Sequence, residues 1–303
     1  MFKANRSPGF FRLKRGATII DHARRPWPIL FVTFAMAWAI LMFTPGAAGS
    51  SSQNESPHSL TPLQLEIQKQ RVRLSSTEAE ERRDALMRLG GLHRAEASRA
   101  ALSALTDLFP VIRATAAFAL SSLPAAESAA ALVPLLNDKD EFVRQQVSYA
   151  LGGMKNRSAV AAIIERLKTD KKDSVRGAAA VALGQIGDDA GVIALAEVLS
   201  SGGSAQMGSR KRKPKESEFI LRATAHSLGE IGSRAGAPVL IAVLSNDSMP
   251  DDVRREAALA LGLIGDSAAI PALRAALTAN DPYLSRIASE ALRKIASNPG
   301  HPS

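Results

Sequence analysis

From Val175 to Ile186 the apolar residues Val175, Ala179, Ala182, Leu183 and Ile186 fall at i, i+4, i+7, i+8 and i+11, the stripe of one amphipathic helix. After the sequence GDDAG, Val192, Leu195, Ala196 and Leu199 repeat the spacing i, i+3, i+4, i+7. Gly187 stands where the first helix must end and suits a left-handed cap. The pattern predicts two helices of roughly a dozen residues joined by short turns. Neither helix buries its stripe alone.

The same unit recurs. The segments VRQQVSYALGGM (143–154), VRGAAAVALGQIG (175–187) and VRREAALALGLIG (253–265) align without gaps. Looser copies begin at positions 81, 112, 220 and 284. The anchoring leucines are Leu89, Leu120, Leu151, Leu183, Leu228, Leu261 and Leu292, at intervals of 31, 31, 32, 45, 33 and 31. Self-similarity at this period means stacked units that bury one another's stripes. Small residues such as Ala178, Ala179, Ala257 and Ala258 allow close helix approach. The long interval holds an insertion of about 14 residues within SSGGSAQMGSRKRKPKES (200–217), a composition that predicts a surface loop.

With its recurring V-R-x-x-A-x-x-A-L-G-x-I-G pattern, the region 61–298 resembles the HEAT repeats of the phycobilin-lyase-like, short-unit kind. The resemblance implies a right-handed all-α solenoid of about seven helical hairpins, with the second helix of each pair lining the concave side. It also implies that an Asp ahead of this helix pairs with the Arg inside it; Asp140 and Arg144, Asp173 and Arg176, and Asp251 and Arg254 are suitable. Leu221 and Ser285 occupy the Arg position in two units, so the ladder should be broken there.

Ahead of the repeats, Ile29 to Phe43 reads ILFVTFAMAWAILMF, fifteen apolar residues without a charge. Residues 1–27 are basic, and no further Lys or Arg appears between them and Lys69. This is the pattern of an export segment with its N-terminus in the cytoplasm and everything beyond about residue 50 across the membrane. Residues 28–45 are expected to act as a single-pass signal anchor in a bacterial-type cytoplasmic membrane; release after cleavage near Ala48 or Gly49 is the alternative. Residues 46–60, rich in Ser, Gly, Asn and Pro, read as a flexible linker, and 299–303 as a short tail.

Charge and chemistry narrow the function. The net charge of +9 is local: residues 1–27 carry +6, and Arg210, Lys211, Arg212, Lys213 and Lys215 of the insertion carry +5. The repeat body is therefore not basic, and with an export segment a nucleic-acid partner is not expected. The chain has no cysteine, which excludes disulfides, thiolate metal sites and a cysteine nucleophile. The resembling family includes an iron-dependent hydroxylase whose His-Glu ligand pairs directly follow the repeat Arg. Here those positions read Arg83-Asp84, Ala114-Thr115, Gln145-Gln146, Gly177-Ala178, Arg222-Ala223, Arg255-Glu256 and Arg286-Ile287, so no such pair is present. His22, His58, His93, His226 and His301 are the only histidines, and no phosphate loop or nucleophile elbow appears.

No catalytic, cofactor-binding or metal residue is therefore named, and no cofactor is expected. The leading expectation is a non-catalytic scaffold that binds a protein partner outside the membrane. The residue following the repeat Arg faces outward in such helices. Arg222, Arg255 and Arg286 then form a basic row, with Gln145, Tyr149 and His226 on the same layer as further partner-binding positions. Two alternatives stand beside it. One is an enzyme or cofactor-handling protein of bilin-lyase-like or oxidoreductase-like kind. The other binds an acidic protein, an anionic polymer or lipid headgroups through the basic loop and the arginine row.

Overall fold

The structure, a computed structural model, describes residues 60–203 and 216–297. The export segment, the basic loop 210–215, His22, His58 and His301 lie outside the described residues. Among the described residues fourteen α-helices form seven hairpins and there is no strand. The pairs are α1 (Pro62–Arg73) with α2 (Ala79–Gly91), α3 (Ala95–Ala101) with α4 (Pro110–Ala119), α5 (Ala125–Leu132) with α6 (Glu141–Gly153), and α7 (Val160–Thr169) with α8 (Asp173–Ile186). Then follow α9 (Ala190–Gly203) with α10 (Glu218–Ile231), α11 (Ala237–Leu244) with α12 (Asp251–Ile264), and α13 (Ile270–Ala276) with α14 (Pro282–Ser297). No described helix is long and apolar enough to cross a membrane.

Local sequence sets the helix ends. Thr61 accepts from the Gln64 amide while Gln64 Oε1 accepts from the Thr61 amide, a capping box that starts α1. Asp140 caps α6 by accepting from the amides of Phe142 and Val143. Gly187, Gly232 and Gly265 close α8, α10 and α12 at φ of 69°, 73° and 73°, a conformation that a side chain resists.

The hairpins stack so that second helices form one layer, α2 on α4 through to α12 on α14, and first helices form another, as in α7 on α9 and α9 on α11. The core runs between the layers. Leu89, Leu120, Leu151, Leu183, Leu228 and Leu261 are all buried in it, whereas Leu292 of the last described hairpin is only partly covered. Within the second-helix layer the contacts are between backbones. A Cβ added at Gly152 would meet the Ala182 Cα at 2.7 Å, and one at Gly229 or Gly262 would meet Ala260 or Ala291 at 2.8 and 2.9 Å. These glycines bring successive helices to the short end of the usual 8–10 Å separation.

At their N-terminal ends the second helices are joined by arginines, in a register other than the expected one. Arg82, Arg113 and Arg144 each reach the aspartate in the turn of the following hairpin: Arg82 to Asp107 at 2.7 and 3.0 Å, Arg113 to Asp138 at 2.8 and 2.7 Å, Arg144 to Asp170 at 2.7 and 3.0 Å. The remaining guanidinium nitrogen donates to carbonyls of the arginine's own turn, Ser76 and Thr77, Asp107 and Leu108, or Asp138 and Lys139. The expected pairing inside a unit is thus corrected. Asp140 is spent on capping its helix, Arg176 binds Glu216 beyond the insertion at 2.6 and 2.8 Å, and Arg254 binds Asp247 at 2.8 Å, so neither Asp173 nor Asp251 is the partner. For Asp140 the physical reason is that its carboxylate is taken by backbone amides, while the long guanidinium side chain of Arg144 spans the gap to the next hairpin.

The ladder changes at the two departures. Leu221 is fully buried and packs beside Gly202 of α9, and Ser285 replaces the guanidinium with a hydroxyl that donates to the Leu277 carbonyl at 2.8 Å. Arg255, one residue later than the regular position, supplies the last rung by donating to Asp281 at 2.7 Å.

Burial works to raise the carboxyls of Asp107, Asp138 and Asp170. Hydrogen bonds from Arg82, Arg113 and Arg144, aided by the amides of Phe109, Asp140 and Lys172, outweigh it and hold all three below the ordinary value of 3.8. A lowered folded-state pKa contributes stability above the unfolded value and loses it as pH falls through the folded value. The ladder is therefore intact at neutral pH and weakens below about pH 5.

Three outcomes are expected from urea unfolding followed by circular dichroism. Asp138→Asn leaves Arg113 without its anion and lowers stability at pH 7 by about 3 kcal/mol; it also flattens the loss of stability between neutral and acid pH. Gly262→Ala lowers stability by about 1–3 kcal/mol because its methyl meets the Ala291 backbone. Gly153→Ala, with nothing within 4 Å of the new methyl, is neutral or stabilising by up to about 1 kcal/mol.

Candidate interaction face

The inner side of each second helix packs on the core, which leaves its outer side to solvent. Two rows run along that side at the repeat interval. One directly follows the ladder position: Arg83, Gln145, Arg222, Arg255 and Arg286 are exposed or half-exposed, while Ala114 and Gly177 at the same position are buried. The other lies two residues before each anchoring leucine: Met87, Phe118, Tyr149, Val181, His226, Leu259 and Glu290. Together they divide the face into two chemistries.

Over the last three hairpins the face is charged and internally paired. Arg222 lies 3.8 Å from Asp252. Arg255 donates to Asp252 at 2.6 Å as well as to Asp281, and its guanidinium lies 5.2 Å from the centre of the Tyr283 ring. Its pKa is raised well above the ordinary arginine value, first by the hydrogen bond to Asp281, so its charge is permanent. Arg286 binds Glu290 at 2.8 Å. His226 shares a 2.8 Å hydrogen bond with Glu256 through Nδ1, and its Nε2 lies 3.6 Å from Glu230. Each arginine of the expected basic row thus has a carboxylate within 4 Å, and Arg255 is a structural rung.

Over α4, α6 and α8 the face carries no charged side chain beyond the helices' first turns, whereas on α2 Met87 sits among the paired charges of Arg83, Asp84 and Arg88. Met87 and Phe118 are 60% and 45% exposed, and Tyr149 and Val181 are half-buried. Phe142, at the start of α6, adds a further exposed ring. Gly177 has no side chain, and this makes room for Phe219, from the first turn of α10, to lie against α8. Gln145, Gln146 and Tyr149 have no hydrogen-bond partner for their side chains among the described residues. Sequence reasoning placed Gln145 and Tyr149 on this layer but passed over Met87, Phe118 and Val181. The available signal was their spacing of 31, 31 and 32 residues around Tyr149, in step with the buried leucines.

The expected residues therefore fall on one layer but in two settings, Gln145 and Tyr149 on the neutral part and Arg222, His226, Arg255 and Arg286 on the paired, charged part. Arg210, Lys211, Arg212, Lys213 and Lys215 lie outside the described residues. Among the described residues no group of three His, Asp or Glu side chains could hold a metal ion.

Comparison with known proteins follows the same architecture. The sequence profile of HEAT repeats matches residues 71–152, 130–205 and 214–298. No curated protein matches the chain. Among solved structures, the complex of CpcE and CpcF of phycocyanin lyase from Nostoc sp. is 21% identical, over 85% of this chain and 95% of that one, with a TM-score of 0.46. An engineered protein is 20% identical over 76% of this chain and 68% of its own, with a TM-score of 0.46. Human deoxyhypusine hydroxylase, in complex with glycerol, is 19% identical over 77% and 96%, with a TM-score of 0.34. With the profile spanning most of its length and seven hairpins stacked in the leucine register, the chain belongs to the family of HEAT-repeat proteins.

Proposed function

We propose that this protein is a non-catalytic scaffold whose second-helix layer takes up a protein partner at the outer side of a bacterial-type cytoplasmic membrane. The observation that carries the reading is the row of Met87, Phe118 and Tyr149 on successive second helices, large side chains that the array's own packing leaves exposed or only half-covered. A residue needed only for stacking would be buried like Leu89 or Leu120. The charged half contributes register: its arginines and carboxylates are already paired, so a partner exchanges contacts there without meeting a net field. That pairing also weakens the alternative in which an arginine row holds an anionic polymer or lipid. The location rests on the apolar segment 29–43 and the basic residues before it.

A photo-reactive amino acid at position 118 or 149 of the full chain, in native envelope, is expected to cross-link one protein specifically, and one at Glu165 on the first-helix layer is expected not to. Cross-linking at none of these positions, together with a turnover activity of the purified chain abolished by a single substitution, would sink the scaffold reading. For the location, a reporter that folds only outside the cytoplasm is expected to be active when fused after residue 60. Activity confined to a cytoplasmic reporter at the same point would reverse the orientation.

A further inference from the structure

We propose that the neutral half of this face binds an uncharged, proline-rich segment in the polyproline II conformation; the inference rests on the scaffold reading and names its partner chemistry. Three independent observations converge on it.

The first is charge. Beyond their first turns, α4, α6 and α8 present Thr115, Phe118, Gln145, Gln146, Tyr149 and Val181 to solvent, none of them ionisable. Arg113, Arg144 and Arg176 of these helices are tied into the ladder, and Glu141 at the start of α6 is paired with Lys172 at 2.7 Å. A charged segment lying here would be desolvated with nothing to pair it, so the complementary occupant carries no charge.

The second is hydrogen bonding. Gln145, Gln146 and Tyr149 offer amide and hydroxyl donors that no described group accepts. A polyproline II chain matches these donors, since it has no internal hydrogen bonds and each of its carbonyls is free to accept. A partner helix has its amides and carbonyls bonded internally. It would cover the glutamine donors without satisfying them, at the cost of buried unpaired groups.

The third is spacing. Phe118, Tyr149 and Val181 stand on successive second helices, and the Gly152–Ala182 crossing shows how closely these helices approach. At about 8–10 Å per helix, the row matches the polyproline II turn, which is three residues of about 3.1 Å each. Side chains at i, i+3 and i+6 then meet one ring or branched residue per repeat. A β-strand, with side chains alternating every second residue, falls out of step.

The test is fluorescence anisotropy with labelled decaproline and the full chain in detergent, beside a Gly-Ser decamer and an uncharged apolar helical peptide. Decaproline is expected to bind, unaffected by salt because no charges take part. Tyr149→Ala is expected to weaken binding tenfold or more, and Tyr149→Phe, which keeps the ring and loses the donor, severalfold. Arg286→Glu, on the charged half, is expected to leave it unchanged. No decaproline binding, equal binding of the Gly-Ser peptide, indifference to Tyr149→Ala, or tighter binding of the helical peptide would each overturn the proposal. The two readings fail separately. Cross-linking of a partner at positions 118 and 149 that excess decaproline does not compete away leaves the scaffold standing and removes the polyproline assignment. Decaproline binding through Tyr149 with no cross-linked protein does the reverse.

Discussion

Each guanidinium of the ladder holds two turns at once. Arg113 donates to the carbonyls of its own turn and grips the Asp138 carboxylate of the next, and the backbone of that same aspartate accepts from Arg144. The rungs are charge-assisted, two-pronged and largely out of water, which makes their geometry demanding. The glycine crossings do the corresponding work further along the helices, where Gly152 lies against Ala182 and Gly229 against Ala260. With both constraints in place, successive second helices have little freedom to slide. The rows on their outer side line up as a consequence.

Where the ladder is altered, the fold substitutes another contact for the missing one. Leu221 replaces a cation with an apolar side chain buried beside α9, and Ser285 donates its short hydroxyl to the Leu277 carbonyl. Arg255 takes the aspartate that the regular position no longer reaches. Arg176 bonds to Glu216, on the far side of the insertion, so α8 and α10 stack like their neighbours despite the longer connection. A loop of added length costs little to close when its ends are fixed this firmly.

The same regularity separates stability from recognition. Inner positions of the second helices are spent on the core and edge positions on the ladder. Most outer positions touch neither, Arg255 being the exception, so their chemistry can vary from hairpin to hairpin without disturbing the stack. In this chain they divide into a stretch with the exposed apolar side chains of Met87 and Phe118 and the ring of Tyr149, and a charged stretch in which Arg222, Arg286 and His226 face carboxylates.

The seven hairpins, their boundaries and the buried leucines were legible in the chain because they depend on local periodicity: a stripe at helical spacing, a glycine at Gly187, Gly232 or Gly265, and a recurring interval. The placement of the insertion was legible for the same reason. Which aspartate each arginine binds was not, since Asp140 is much nearer to Arg144 along the chain than Asp170, and only the packing of one hairpin on the next brings Asp170 to it. The i,i+4 spacing of Arg286 and Glu290 is readable along one helix, but no one-dimensional pattern could show that Asp252 and Asp281 would come within 4 Å of Arg222 and Arg255, because those pairings cross from one hairpin to another. Sequence by itself determined that the protein is a stack of amphipathic hairpins and that six of the seven anchoring leucines bury. Tertiary structure alone decided which charges cancel and which side chains remain open to a partner, because those outcomes depend on distances between helices that local propensity does not encode.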